Sequence, residues 1–519
     1  MFRRHLRQST TFIRRFSSTA ISTNNPKPTP PTTATAADAA KSVSKGGDTL
    51  GRRLFSLTYS KRSAVVTLRK WKEEGRTIRK FELGRIVREL RKLKRYKHAL
   101  EICEWMRIQD DIKLVPGDYA IHLDLIAKLW GSNSAEKFFT DLPEEMKTQS
   151  TCTALLHAYV QGNEYVKAEA LMDELSECGF LNSPLSYNHM LSMYISLGQL
   201  EKVPELIRRL KKSTSPDLVT YNMLLSVYAS MDNVEAAEKI FEEVKKAKIE
   251  PDWLTYSTLT SLYIKEGLNE KVASSLMEIE KKASRKTRAA YSSLLSLFTN
   301  AGDKDGVNRT WKKMKSVYQK LNDAEYMCMI SSLIKLGVLE EAENSYAEWE
   351  SISPTGDTRV PNLLLAGYIN KNMFSEAEAF YKRIVQKGMK PSYTTLELLT
   401  WGYLKQRQMA KVLDCFEKAV GRVKKWVPDE KLIREMYNNL EETGNVEGAE
   451  KLLAILRKAG YVTTKIYNML LRTYAKSRTM PLVVAERMRE DKVELDEETG
   501  ELLRWTSKMR ISEVSSCLT

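Results

Sequence analysis

Hydrophobic and polar positions repeat along this chain with a period of about 35 residues. The phrase Leu-Val-Thr-Tyr-Asn at 218–222 returns as Trp-Leu-Thr-Tyr-Ser at 253–257, and Pro251-Asp252 closes the unit between them. Within a unit, apolar residues recur at helical spacing, stop near a Gly or Asp, and then recur again. This pattern predicts stacked helix pairs, each of which buries its apolar face only against its neighbours.

The same marks predict about twelve units. Two divergent units occupy 80–148, and the region 497–519 is predicted to cap the last unit with a helix near 502–509. Position 20 of each unit holds only Ala or Val, which predicts close helix packing there rather than a function. The remaining units are 149–183, 184–217, 218–252, 253–287, 288–322, 323–357, 358–392, 393–429, 430–463 and 464–496.

The region before the array has a different composition. Residues 1–37 contain six basic side chains, many Ser and Thr, and no acid before Asp38, which is typical of an organellar transit peptide. Its arginines and bulky apolar residues favour mitochondrial import, with chloroplast import as the alternative. Residues 38–79 are predicted to be a basic, low-complexity N-terminal region. No apolar run is long enough to cross a membrane, so membrane insertion is not expected.

The net charge of +16 is concentrated near the N-terminus. Residues 52–97 contain 17 basic and 4 acidic side chains, so the array that follows is not basic. Charge alone therefore does not establish nucleic-acid binding. The basic block contacts phosphates or is simply a solvated helical face.

Motifs for catalysis are missing from the sequence. The histidines and cysteines have neither zinc-finger nor zinc-deaminase spacing, and there is no Gly-rich phosphate loop. We therefore predict no enzyme activity, no cofactor and no metal site.

The unit phrases identify a resemblance. Leu218–Leu225, Trp253–Thr260 and Leu185–Leu191, together with the Pro-Asp pairs between units, closely resemble the pentatricopeptide repeat, in the pure form found in plant organelles. The resemblance covers roughly 80–496, is strongest over 149–392, and is weaker over the degenerate units 393–496. It implies an all-α, right-handed superhelical solenoid whose first helices line a groove for single-stranded RNA, with one base per repeat.

By the same resemblance, unit positions 5 and 35 read the base edge, and the chain runs along RNA from 5′ to 3′. Asn with Asp favours U, Ser with Asn favours A, and Asn with Ser favours C. Over 184–392 the resemblance implies U, U, unread, A, unread, C. The pairs are Thr153 with Ser183, Asn188 with Asp217, Asn222 with Asp252, Ser257 with Thr287, Ser292 with Asn322, Met327 with Asp357, and Asn362 with Ser392.

Other positions carry a second role in the family. Position 2 is an aliphatic wedge between bases, which here would be Leu185, Val219 or Leu254, although each is equally suited to packing. Position 13 carries a lysine in several units, including Lys265 and Lys335, which faces either phosphate or solvent.

Some units depart from the pattern. In unit 323–357 Met327 cannot read a base, and in the degenerate units Glu397 and Arg434 occupy position 5. Specific reading from 393 onward is therefore doubtful, and these units contact a protein partner, hold the RNA backbone or only complete the array. The favoured function is sequence-selective binding of single-stranded organellar RNA for stabilisation, processing, splicing, editing or translation. The alternative is a scaffold, for example on the mitochondrial ribosome.

Overall fold

The computed structural model describes residues 48–57, 62–352, 356–423 and 426–511. The predicted transit peptide, and residues 38–47 and 58–61 of the predicted low-complexity region, therefore lie outside the described residues. The described chain is almost entirely helical, as predicted. Its α-helices are α1 Leu50–Phe55, α2 Ala64–Glu73, α3 Lys80–Lys92, α4 Tyr96–Arg107, α5 Pro116–Trp130, α6 Ser132–Thr140, α7 Gln149–Gln161, α8 Tyr165–Glu177, α9 Pro184–Leu197, α10 Val203–Ser213, α11 Leu218–Ser230, α12 Val234–Lys246, α13 Trp253–Lys265, α14 Asn269–Lys282, α15 Arg288–Asn300, α16 Lys304–Val317, α17 Asp323–Lys335, α18 Leu339–Ile352, α19 Arg359–Asn370, α20 Phe374–Gln386, α21 Tyr393–Lys405, α22 Met409–Val420, α23 Glu430–Thr443, α24 Val446–Lys458, α25 Thr464–Ser477, α26 Val484–Glu490 and α27 Glu497–Thr506.

Three short elements complete the fold. Single 3₁₀ turns lie at Glu144–Met146 and Leu200–Lys202. Two-residue strands, β1 Thr479–Met480 and β2 Arg510–Ile511, pair in parallel. No described helix is long and apolar enough to span a lipid bilayer.

The chain divides into two compact units, 1–290 and 291–519, with the division inside α15. In the first unit α5 packs on α7, α7 on α9, α9 on α11 and α11 on α13, and most of these helices also pack on the helix that follows them. One apolar core connects Leu50 to Val227 through this unit. The second unit repeats the arrangement from α17 through α19, α21, α23 and α25 to α27. The fold-class prediction of helix-turn-helix repeats is confirmed.

Each helix pair follows from its local sequence. In α12, the Asn233 side chain caps the first turn by accepting a bond from the Ala236 amide at 2.9 Å, and Lys245 and Lys246 lie in the last turn. The turn that precedes it needs a positive φ, which Asp232 adopts at 54° and Gly267 adopts at 69° in the next repeat. These residues end the first helix of each pair.

The small residues at unit position 20 lie where two helices meet. Ala168, Ala237, Ala342, Ala377 and Ala449 are all fully buried. A larger side chain at these sites would have to separate the helices or adopt a strained rotamer. This agrees with the packing role that the sequence pattern indicates.

The structure adds a helix pair that the sequence analysis did not predict. Within the predicted low-complexity region, α1 packs on α2 and α3, and α2 packs on α4. Leu50, Leu54 and Leu68 are fully or almost fully buried in this pair, while the guanidinium of Arg76 lies 4.4 Å from the centre of the Trp71 ring. The apolar stripe was not recognised in the sequence because charged residues dominate the composition of this segment.

The end of the array also differs from the prediction. The last helix begins at Glu497, five residues before the predicted start at 502, because Asp496 caps it by accepting from the Thr499 amide at 2.8 Å. The second helix of unit 464–496 is reduced to α26, and the residues before it form β1.

Replacing Ala237 with Leu is expected to lower the free energy of local unfolding by about 1–3 kcal/mol, because the new methylenes overpack the contact between helices. The measurement is native-state hydrogen exchange of the α11–α14 amides. The matched control is Ala247→Leu at the exposed end of α12, which should change exchange little. Equal effects of the two substitutions would contradict the packing assignment.

Candidate nucleic-acid interface

The first helices α11 and α13 begin on an aspartate that caps them. Asp217 Oδ1 accepts a hydrogen bond from the Thr220 amide at 2.8 Å, and the Asp217 amide donates to Thr220 Oγ1 at 3.3 Å. Asp252 and Thr255 repeat the arrangement at 2.9 and 3.2 Å. These reciprocal bonds satisfy amides that a helix start leaves unpaired. In these two repeats the residue at position 35 therefore has a structural role as a helix cap, whether or not it also binds a ligand.

An asparagine of the preceding repeat joins each cap. Asn188 Nδ2 donates to Asp217 Oδ1 at 3.0 Å, and the Thr220 hydroxyl lies 2.7 Å from Asn188 Oδ1. Asn222, Asp252 and Thr255 form the same contacts at 3.2 and 2.7 Å. We call such a group a triad. It links one first helix to the next and brings together two residue pairs that the sequence analysis placed at positions 5 and 35.

A third triad has a hydroxyl in place of the carboxylate. Asn362 Nδ2 lies 3.4 Å from Ser392 Oγ, and the Thr395 hydroxyl donates to Asn362 Oδ1 at 2.8 Å. Ser392 also caps α21 by accepting from the Thr395 amide at 3.2 Å. The predicted pair of Asn362 with Ser392 is thus brought together, through a weaker contact than the aspartate pairs make.

A fourth triad was missed by the sequence analysis. Asn468 Nδ2 donates to Asp496 Oδ1 at 3.1 Å, and the Thr499 hydroxyl donates to Asn468 Oδ1 at 2.6 Å. The same amide also lies 3.3 Å from Glu498 Oε2, so two carboxylates surround it. Tyr467-Asn468 repeats the Tyr-Asn phrase of the better units, and this signal could have identified the site.

The threonines were also missed as site residues. Thr220, Thr255, Thr395 and Thr499 occupy the third position of their helices and are fully buried. Because each hydroxyl touches both the cap and the preceding asparagine, it fixes the orientation of the amide. Their recurrence three residues after the cap was the available signal.

The triads are unevenly exposed. Asn188 and Asn222 are each only 3% exposed, whereas Asp217 and Asp252 are half-buried. Asp217 Oδ1 and Asp252 Oδ1 take all the bonds just described, and Oδ2 of each makes no hydrogen bond to a described residue. One amide N–H of each asparagine likewise remains after the bond to the aspartate. The triads at Asn188 and Asn222 thus each keep one acceptor and one donor for a ligand.

The other predicted pairs do not form triads. The Thr153 hydroxyl lies 3.2 Å from that of Ser186, while Ser183 caps α9. The Ser257 hydroxyl bonds back to the Trp253 carbonyl at 2.8 Å, and Thr287 serves its own turn with Ser284.

In two further predicted pairs, the residue at position 35 bonds to a residue other than its predicted partner at position 5. Asn322 caps α17 by accepting from the Glu325 amide at 3.1 Å, so a glutamate replaces the threonine and no triad forms with Ser292. Asp357 is bound by the guanidinium of Arg359 at 2.6 Å, which lowers the pKa of Asp357. These repeats therefore lack the arrangement found at Asn188 and Asn222.

The predicted wedges and lysines have mixed environments. Leu185 and Val219 are half-buried, whereas Leu254 is 8% exposed and mainly a core residue. Lys265 forms an exposed ion pair with Asp232 at 2.6 Å. Lys335 is exposed and lines an open cavity of about 340 Å³ together with Met327 and Cys328.

The first repeats contain a buried ion network instead of a triad. Asp124 on α5 is 2% exposed and lies 2.7 Å from both Arg91 and Lys128 and 3.2 Å from His157 Nδ1. Burial alone would raise the pKa of Asp124, but these neighbours hold it well below its usual range. The carboxylate therefore stays charged and connects α3, α5 and α7.

Comparison with known sequences gives consistent matches. Family profiles match for the PPR repeat family over residues 216–265, for the pentatricopeptide repeat domain over 170–231, and for the PPR repeat over 150–180 and 360–389. A mitochondrial pentatricopeptide repeat-containing protein of Arabidopsis thaliana is 65% identical over 482 residues, covering 93% of this chain and 91% of that protein. Another from the same plant is 30% identical over 461 residues, covering 88% and 94%.

Solved structures share the fold. The crystal structure of the pentatricopeptide repeat protein PPR10 from maize superposes with a TM-score of 0.50 at 17% identity, covering 92% of this chain and 72% of that chain. PPR10 in complex with an 18-nt psaJ RNA element superposes with a TM-score of 0.52 at 16% identity, covering 96% and 81%.

Replacing Thr255 with Val is expected to lower the free energy of unfolding around α11–α13 by about 1–3 kcal/mol. The substitution keeps the shape but leaves the buried Asn222 Oδ1 without its donor. Hydrogen exchange at the start of α13 measures the effect. Thr258→Val is the matched control, because the Thr258 hydroxyl bonds only the Leu254 carbonyl in its own helix. Equal loss of protection in both variants would contradict the role of the triad.

Proposed function

This chain belongs to the pentatricopeptide repeat family, and we propose that it binds single-stranded RNA in mitochondria and reads individual bases with its triads. The observation that carries the proposal is the repeated geometry at Asn188 and Asn222, where successive first helices present the same free acceptor and donor. The RNA complex formed by PPR10, which shares the fold, supports the choice of ligand. The mitochondrial names of the relatives and the acid-free, arginine-rich leader agree on the compartment.

Uracil suits an Asn–Asp triad for a chemical reason. Its Watson–Crick edge carries an N3–H donor between two carbonyl acceptors. The free Oδ2 of Asp252 can accept from N3–H, and the remaining amide N–H of Asn222 can donate to a carbonyl. Cytosine has an acceptor at N3, so a hydroxyl such as that of Ser392 suits it better than a carboxylate. The proposed reading is U at 184–217, U at 218–252 and C at 358–392.

Access differs between the aspartate and the asparagine of a triad. The half-buried Asp252 can be reached directly, whereas Asn222 is almost fully buried between first helices. Reading by the asparagine therefore requires the adjacent first helices to separate slightly when RNA binds. The aspartate would then make the first contact and the amide would add selectivity.

The fourth triad is proposed to be a structural clamp with little affinity for RNA. Glu498 stands at the second position of α27, where the helices capped by Asp217 and Asp252 have Val219 and Leu254, and its carboxylate lies beside the Asn468 amide. A second negative charge would repel the phosphate backbone. The degenerate units that precede the fourth triad are proposed to contact the RNA backbone or a protein partner.

The proposed mechanism is occupancy without catalysis. A protein bound along single-stranded RNA blocks exonucleases, prevents hairpins or recruits factors for processing, splicing, editing or translation. Selectivity comes from a few base contacts, while affinity is spread over many repeats.

Replacing Asp252 with Ser tests the reading directly. The variant reproduces the Asn362–Ser392–Thr395 group in the triad of Asn222 and Thr255. It is expected to change the preferred base at the second position of the RNA from U to C, with an affinity ratio of about tenfold. Fluorescence anisotropy with RNA containing U-U-N-A-N-C, and with each single-base change, measures the switch. The matched control is Asp217→Ser, which should change the preference at the first position only.

Two outcomes would contradict the proposal. Unchanged base preference in Asp252→Ser would exclude reading by this triad. Equal, steeply salt-dependent binding to all RNAs and to the matching duplex, or no RNA binding, would favour the scaffold.

A further inference from the structure

The repeat formed by α3 and α4 differs from the repeats proposed to read bases. The difference lies on the face of α3 that points away from the apolar core. Helix α3 buries Leu83, Ile86, Val87 and Leu90. Counted from the helix start, these are positions 4, 7, 8 and 11, of which the first three match the buried Tyr221, Leu224 and Leu225 of α11. The two helices therefore have the same register. Position 2 of α3 corresponds to the proposed wedge Val219.

Position 2 of α3 is Phe81, and its side chain is 76% exposed. This is the highest exposure among the large hydrophobic side chains of the described residues. One turn further along, Gly84 takes the place of Asn222, and a Cβ added there would meet nothing within 4 Å. The exposed Phe81 ring is thus followed, one turn along α3, by a glycine whose side-chain position is empty.

Cations continue the same stripe. Arg85, Arg88 and Lys92 follow Phe81 at helical spacing, and all three are exposed. Arg88 bonds only the Gly84 carbonyl, at 3.2 Å, and neither arginine has a carboxylate partner within the described chain. The equivalent stripe of α11, at Val219, Met223, Ser226 and Ser230, carries no charge.

We propose that Phe81, Arg85 and Arg88 form a sequence-independent docking site for one nucleotide of the RNA, with the base stacked on Phe81 and a phosphate held by the arginines. Every base has a π-face, so stacking on an aromatic side chain tolerates any sequence. Arginine pairs with phosphate through a planar fork of donors. The absence of a side chain at Gly84 leaves the base edge unread.

The position of this nucleotide follows from the repeat count. This inference rests on the proposed function, with one base per repeat and the 5′ end toward the N-terminus. The first helices α3, α5 and α7 precede α9, which begins the first uracil-reading repeat. Phe81 therefore meets the third nucleotide on the 5′ side of the first uracil.

The experiment uses the full chain and synthetic RNAs labelled at the 3′ end, with zero to four nucleotides added before U-U-N-A-N-C. Affinity is expected to rise about tenfold when the third nucleotide is added, whichever base it carries. An abasic third nucleotide should lose most of that gain. Phe81→Ala should remove the gain while it leaves binding of the unextended RNA unchanged.

Two further variants separate stacking from charge and from nonspecific effects. Arg88→Gln should reduce the salt dependence of binding to the extended RNA by about one unit of slope. Ile108→Ala is the matched control, because Ile108 is 65% exposed at the end of the second helix of the same repeat. It should keep the full gain.

The inference would be overturned if the third nucleotide added no affinity, or if Phe81→Ala kept the gain. Either result leaves the reading of uracil by Asn222 and Asp252 intact, since that is tested by the base switch of Asp252→Ser. Loss of base preference in all RNAs would instead count against the proposed function itself.

Discussion

The start of each first helix sets the central constraint on this fold. In a stack of helix pairs, the unpaired amides at a helix N-terminus lie against the preceding repeat, where water reaches them poorly. Asp217 and Asp252 satisfy these amides, and the asparagine of the preceding repeat bonds to the same carboxylate. A single oxygen therefore caps one helix and links it to its neighbour. The opposite oxygen stays free, so the structural bond also orients the group available for a ligand.

This coupling limits how a repeat can vary. Replacing aspartate with serine, as at Ser392, keeps the cap and the link, in which the hydroxyl oxygen accepts, but puts a hydroxyl proton in place of the second carboxylate oxygen. Replacing threonine with glutamate, as at Glu325, keeps the cap and loses the link. Repeats with these variations still stack, because their apolar residues remain in register. The array can thus hold readers and non-readers without a change of fold.

The exposed residues of the first helices vary more freely than the core. Helix α3 carries Phe81 and cations, α11 carries no charged residue, and α27 begins with two glutamates. Helices α3 and α11 bury residues at the same spacing, so packing does not select the side chains on their exposed faces. Their chemistry instead decides how each repeat interacts with a polyanion. The Asp124 network, in contrast, holds the first repeats together around a buried carboxylate.

The sequence by itself determined the repeat length and the register of helix pairs, because a regular period fixes which residues become neighbours. The pairing of Asn188 with Asp217 and of Asn222 with Asp252 was implied by the resemblance of these units to the pentatricopeptide repeat. It did not reveal α1 and α2, whose apolar stripe is masked by charge, or the triad at Asn468, which lies in a degenerate unit. It also gave no indication that Asn222 is buried while Asp252 is half-buried, or that Lys265 forms an ion pair with Asp232. Burial and side-chain partners depend on how neighbouring repeats pack, so only the tertiary structure decides them.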